Sequence, residues 1–265
     1  MMKKQKQTDN FLMANIQVVY MQKRLLKKED FDELIYMNDW YDIRQFLSRF
    51  GYRLAEEVTV GAVDNLYQSQ LEKLEKDMYQ LNFPDDYLKV LFVKRDTFQQ
   101  IKDTAYQNLD EKVLEEYGKY ANSSLHPLIA EYAKYRIDEY FLNGYFRNST
   151  HTISLKRLAR GNFSSDELTE LEKLPVKNGI EWLQHTAYRD VFASPFETIT
   201  FEKRFDDWLI KHYHQYRYQT IGLEGIFTYI LEKIFELFNL RLVLKSKIYR
   251  LSTEEMRERM RVVYG

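Results

Sequence analysis

The chain reads as all-α, and three observations carry that reading. Glycine and proline number only 9 and 4 in 265 residues, too few for the turns that a sheet protein of this length needs. Apolar side chains recur at helical spacing along most of the chain. Apolar residues make up 45% and charged ones 30%, which predicts a soluble chain with a real core, as one large domain or two to three smaller units.

Taken in order, Phe11, Leu12, Ile16, Val19 and Tyr20 share helical spacing, as do Phe31, Leu34 and Ile35. Asp39 suits the cap of a helix bearing Ile43, Phe46 and Leu47, with Gly51 as its stop. From Asp64 to Gln80, Leu66, Leu71, Leu74 and Met78 alternate with charges, the pattern of a more exposed amphipathic helix. Phe83-Pro84-Asp85-Asp86 breaks it, and proline followed by two acids opens a helix over 86–107. Asn122-Ser123-Ser124 reads as a loop before a helix from Pro127 to about Phe146, and Asn148-Ser149-Thr150 as another loop. Ser164 and Glu167 form a capping box. Pro175 and Lys177-Asn178-Gly179 suggest a turn before a helix over Ile180–His185. A helical pattern over 201–218, a turn near Gly222 and two further helices complete the chain, Ser252 and Glu255 boxing the last one.

Several function classes find no footing. There are no cysteines, which excludes disulfides, thiolate catalysis and cysteine metal sites and fits a reducing compartment. No phosphate-cradling loop, dinucleotide fingerprint, zinc-protease helix or serine elbow occurs. The histidines (His126, His151, His185, His212 and His214) are scattered, and an i, i+2 pair on a helix points to opposite sides, so no metal is expected. The acid pairs Asp85-Asp86, Asp206-Asp207 and Glu254-Glu255 read as helix-end acids. The 21 Tyr and 17 Phe read as packing rather than a base-stacking platform. A net charge of −1 argues against nucleic acid as a partner. The first residues, MMKKQKQTDN, do not introduce a secretory signal, and no stretch approaches a charge-free membrane span.

The polar residues inside the apolar run 226–244 are harder to dismiss. Glu232, Glu236, Asn239 and Val243 fall at i, i+4, i+7 and i+11, one helix face, while Arg241 and Lys245 form an i, i+4 pair on another. Three readings stay open: a carboxylate face bordering water with the arginine paired to a neighbouring helix, an assembly surface, or a ligand site. An enzyme using Glu232 and Glu236 lacks any accompanying nucleophile, metal set or phosphate loop.

Two patterns recur. FLSRFGYR (46–53) is similar to WLQHTAYR (182–189), and an acid on an aromatic-rich helix recurs in KRDTFQQIK (94–102), YRIDEYFLNGYFR (135–147) and ELFNLRLVLK (236–245).

The segment 222–260 resembles the terminal signature of the C subunit of bacterial and archaeal V-type ATPases, the counterpart of the eukaryotic d subunit. Its E-x-x-N-[LI]-R core is matched by Glu236, Asn239, Leu240 and Arg241, and its closing helix by Leu251, Ser252, Glu254, Glu255, Met256 and Arg257. Arg24, Leu25 and Leu26 are similar to the family's opening turn, and Thr186 with Tyr188 to its L-x-x-T-x-Y box, where Phe50 replaces the threonine in the first copy. In the two weaker helix-end copies, Gln99 and Phe141 stand where the asparagine would be.

The resemblance implies three related helical repeats in a funnel-like arrangement, over 1–108, 109–150 and 151–265, the middle one truncated to little beyond its closing helix. It implies a non-catalytic rotor subunit that joins the central stalk to the membrane ring of a proton or sodium ATPase, for ion transport or ATP synthesis. It also implies a peripheral position on the cytoplasmic side of the membrane, held by protein partners, and no cofactor. The structural or interface candidates are then Glu232, Glu236, Asn239, Arg241 and Lys245, with Asp138, Arg147 and Asp96 on the weaker copies. The alternative is a free-standing helical-repeat scaffold for unrelated partners.

Overall fold

The computed structural model describes residues 2–101, 109–122, 127–147 and 159–264, with side chains except those of 2–10 and 98–101. The described residues form twelve α-helices and no strand, as the glycine and proline scarcity predicts. The chain divides into two compact units, Met1–Phe83 with Leu209–Gly265, and Pro84–Trp208.

The first unit contains α1 (Met2–Gln22), α2 (Lys28–Tyr36), α3 (Trp40–Arg49) and α4 (Val60–Gln80). Its second segment adds α11 (Glu224–Ile248) and α12 (Thr253–Arg259). Helix α11 is the core element and packs against α4, α1, α2 and α12. Ile226, Ile230, Leu231, Val243 and Leu244 are all essentially inaccessible. A helix that is apolar on nearly every face is stable only inside a protein, and α11 is such a helix.

Local chemistry sets the ends. The Asp39 carboxylate accepts from the backbone N–H of Tyr41 at 2.7 Å and caps α3. At the other end Gly51 has φ +82°, with Gly51 N–H bonded to Ser48 and Tyr52 N–H to Leu47. This left-handed closure is the reason glycine stands there, and it turns Tyr52 inward, 1% exposed. Ser252 and Glu255 exchange hydrogen bonds with each other's backbone at the start of α12, the expected capping box.

The second unit contains α5 (Asp85–Ile101), α6 (Leu109–Ala121), α7 (Pro127–Phe146), α8 (Ser165–Lys173) and α9 (Val176–Leu183). The unit boundary after Trp208 falls inside α10 (Phe201–His214). Helices α5, α6 and α7 pack on one another. An aromatic cluster of Phe146, Phe192, Phe201 and Phe205 has neighbouring ring centroids 5.1–5.9 Å apart, close enough for tilted and stacked ring contacts.

Three local expectations need correction. Residues 109–121, to which the pattern assigns no element, form α6, because Val113, Leu114, Tyr117 and Ala121 make one buried face. Lys177-Asn178-Gly179 is not a turn but lies within α9. Glycine is needed there for approach, since a Cβ would stand 2.1 Å from the Tyr145 hydroxyl. Asp206-Asp207 is not at a helix end; both lie within α10, where Asp206 pairs with Arg136 and Asp207 with Lys203. The 148–150 loop, residues 123–124 of the earlier loop, the last residues of the 86–107 helix, His126 and His151 lie outside the described residues.

Because Leu244 lies on the fully buried face of α11, Leu244→Ala should lower the unfolding free energy by about 2–5 kcal/mol. Urea denaturation measures it, and a loss well below that range would mean that α11 is not core.

Candidate functional site

Three of the candidates on α11, Glu232, Glu236 and Asn239, point inward rather than to water. Glu232 is 6% exposed, Glu236 3% and Asn239 0%, so the face that the spacing predicts exists, but it does not border solvent. Burying a carboxylate is costly unless partners replace its water, and each of these side chains has partners from a distant stretch of chain.

Glu236 accepts a hydrogen bond from the Tyr52 hydroxyl on one oxygen and from Lys233 Nζ on the other, at 3.0 Å. Lys233 also donates to the Tyr52 oxygen at 2.6 Å, closing a triangle. Burial, then the neighbouring Glu236 charge, pushes the Tyr52 hydroxyl well above its ordinary range, so it stays a proton donor. One turn earlier, Glu232 faces His214 Nδ1 at 3.0 Å and Arg217 Nε at 3.6 Å. Burial raises its carboxyl against the pull of Arg217 and His214. The His214 ring stacks on Tyr264, 4.0 Å between centroids.

Asn239 pins the carboxyl-terminal stretch of chain. Its amide NH₂ donates to the Arg261 carbonyl at 3.0 Å, and its oxygen accepts from the Arg261 N–H at 2.9 Å. Pairing with one residue's backbone in both senses requires a donor and an acceptor on one short side chain, which Asn supplies and Asp does not. Phe141, at the corresponding place on α7, is a buried apolar residue; the side chain of Gln99 is outside the described residues.

Arg241 and Lys245 converge on one carboxylate, Asp64 of α4, at 2.6 and 2.7 Å. Partial burial would raise Asp64, but hydrogen bonds from Lys245 and Arg241 and their charges hold it below the usual range. The group is half-exposed, so the pair is worth little compared with the buried contacts. Lys247 donates to the Ile35 carbonyl at 2.8 Å and to that of Met37, satisfying the end of α2.

Asp138 belongs to the second unit and repeats the arrangement of Glu236. It is 0% exposed and accepts from the Tyr188 hydroxyl, and from the Asn162 N–H and Asn162 Nδ2 at 2.9 Å each. Burial raises its carboxyl to about 6, although these donors oppose the shift. The two tyrosines occupy equivalent places in FLSRFGYR and WLQHTAYR, yet different devices aim them. After α3 the left-handed Gly51 does so; after α9 the Thr186 hydroxyl accepts from the Tyr188 N–H at 3.2 Å. Phe50 can therefore replace the threonine in the first copy, because a glycine follows it.

Next to Asp138, Glu139 pairs with Arg136 at 2.8 Å and with Lys94 at 3.3 Å, and Arg136 also reaches Asp206 at 3.1 Å. Burial opposes ionisation of Glu139, but Lys94 and Arg136 bring it to about 2. Arg147 makes an exposed pair with Glu202, and Asp96 pairs with its neighbour Arg95. The candidates thus fall into several contacts rather than one reaction centre. Among the described residues no group of three or more acidic or histidine side chains is placed to hold a metal. The partners Asp64 and Asn162 do not stand out in the sequence as site residues, whereas the recurring tyrosine box points to Tyr52 and the interruption of the apolar run 226–244 to Lys233.

A cavity of about 610 Å³ opens in the first unit in front of the Tyr52 triangle. Arg24, Arg49, Lys73, Lys233, Asp77 and Tyr229 line it, so cations outnumber carboxylates there.

The contacts rank by burial. Tyr52→Phe and Tyr188→Phe should each cost about 1–3 kcal/mol by stripping a buried carboxylate of a donor, whereas Arg241→Ala should cost about 0–1 kcal/mol. Denaturant titrations check the order, and a larger loss for Arg241→Ala would overturn it. Asp138 adds a pH dependence. Its folded value of about 6 lies above the ordinary 3.8, so the folded state holds the extra proton between them. Its contribution to stability is then full below about pH 4 and lost as pH rises through 6. Asp138→Asn should remove that slope, seen as a wild-type-minus-variant difference that changes between pH 4 and 7.

Comparison with known proteins gives the chain a family. No curated protein matches it. The family model of the ATP synthase (C/AC39) subunit matches residues 94–259, a span that includes Asp138, Tyr188 and the whole of α11 and leaves Tyr52 outside. The match covers more than half of the chain, and the protein belongs to the ATP synthase (C/AC39) subunit family, which holds the C and d subunits of V-type ATPases.

Proposed function

We propose that this protein is the rotor subunit that couples the central stalk of a V-type ATPase to its membrane ring. The family match over 94–259 is the observation that carries the proposal. Members are accessory subunits of a rotary ATPase, not its catalytic part. On this reading the protein sits peripherally at the cytoplasmic face of the membrane, held by protein contacts, and serves proton or sodium transport or ATP synthesis. No described helix is long and apolar enough to cross a membrane.

The physical demands of the role agree with the construction. A part that transmits torque must resist shear, and a long enclosed helix crossed by buried, directional hydrogen bonds does so better than apolar packing alone. The polar, mainly basic cavity beside Tyr229 and Lys233 offers charges that can orient a partner as well as hold it. The three-repeat division (1–108, 109–150 and 151–265) belongs to the same proposal. In it, Tyr52 of the first repeat meets Glu236 on the closing helix of the third, and Tyr188 of the third meets Asp138 on the closing helix of the second.

The proposal predicts that the purified chain binds the central-stalk subunits and the membrane ring and hydrolyses no ATP by itself. An ATPase assembled without it should retain hydrolysis in its head while ATP-driven ion pumping falls to background. Pumping that persists at the wild-type rate in its absence would refute the coupling role.

A further inference from the structure

Helix α1 carries apolar side chains on both faces, Ala14 and Val18 buried on the inner one. Its inner face carries buried amides: Asn15, 2% exposed, donates to the Gly222 carbonyl at 2.9 Å, and Gln22, 4% exposed, donates to the Arg217 carbonyl at 3.3 Å. Its outer face carries Leu12 (46% exposed), Met13 (63%), Ile16 (40%) and Tyr20 (63%). A helix packed on a core by apolar burial alone would keep its outer face polar. The loop that these amides hold adds Tyr218 and Ile221, 75% and 67% exposed. Single exposed apolar residues need no explanation, whereas a set on two bonded elements marks a contact surface.

Spacing and charge indicate the occupant. Leu12, Ile16 and Tyr20 follow the i, i+4, i+8 ridge that fits a groove of a second helix. Residues 1–28 hold seven Lys or Arg against Asp9 alone, in a chain of net charge −1. The same basic character continues into the cavity lined by Arg24, Lys73 and Lys233. A lipid surface fits less well. An interfacial helix sinks its whole apolar side while its other side stays in water, whereas the other side of α1 is bonded to protein and only a ridge is on offer.

We propose that the outer face of α1, with the 217–222 loop, is the docking surface for an acidic amphipathic helix of a protein partner in the rotor. The inference rests on the rotor reading and adds the surface and the chemistry of what covers it. Apolar side chains of the partner helix cover the Leu12–Ile16–Tyr20 ridge, and its flanking carboxylates face Lys23 and Arg24 at the carboxyl end of α1.

The test uses the full chain and measures binding separately to the purified central-stalk subunits, to the detergent-solubilised ring, and to vesicles of phosphatidylserine or phosphatidylcholine. Ile16→Asp and Met13→Glu alter exposed positions, so unchanged thermal unfolding verifies the fold. Each should weaken binding to one of the two protein partners at least tenfold, and wild-type binding to that partner should fall as salt rises. A photoreactive p-benzoylphenylalanine placed at Met13 should crosslink to a helical segment rich in Asp and Glu. Variants that bind stalk and ring as the wild type does would overturn this inference and leave the rotor reading standing. So would substitutions that abolish only phosphatidylserine binding, or a crosslink to a basic segment. A wild-type chain that binds neither stalk nor ring would overturn both.

Discussion

Two carboxylates buried on long helices, Glu236 on α11 and Asp138 on α7, impose the constraint around which each unit is organised. Neither can leave its helix face, and neither can stay ionised inside without donors to replace water. Each unit answers with a tyrosine delivered from the end of a short helix, Tyr52 after α3 and Tyr188 after α9. Leaving such a group unmatched costs as much as removing a fair-sized apolar side chain from the core. The contact is also directional, which apolar packing is not, so it sets where the short helix must end relative to the long one.

This explains why contact and sequence divide the chain differently. In the proposed repeats, a tyrosine box does not serve its own closing helix but the one before it, counting the first repeat as following the third. Tyr52 and Glu236 are 184 residues apart, yet they lie in one compact unit. Tyr188 and Asp138 lie together in the other. The proposed middle repeat, 109–150, has no tyrosine box in its sequence, and Asp96, the equivalent acid on α5, pairs with the adjacent Arg95 instead.

For the proposed rotor role the division of labour among the polar groups matters more than any single one. The buried set (Tyr52, Glu236, Asn239 and Asp138) is hydrogen-bonded internally and stiffens the helices, and Lys233 joins it from the cavity wall. The outward set, the cavity residues Arg24, Arg49 and Lys73 and the apolar ridge of α1, faces outward. Asp64 with Arg241 and Lys245 stands between them, a half-exposed tie between α4 and α11.

Helicity, the Asp39, Ser164 and Ser252 caps, the stop at Gly51 and the shared face of Glu232, Glu236 and Asn239 on α11 are legible in the sequence, because each depends on residues within one or two turns of each other. The recurrence of the tyrosine box and of the acidic helix end is legible too, and with it the family. The KNG run reads as a turn because glycine as a turn former and glycine as a point of close approach look alike in one dimension, and only Tyr145 against Gly179 distinguishes them. Periodicity says which side chains share a face, never what the face meets. Tertiary structure alone decided that the Glu236 face turns inward to Tyr52 while the Ile16 face of α1 turns outward, because burial of a charge depends on donors that arrive from far along the chain.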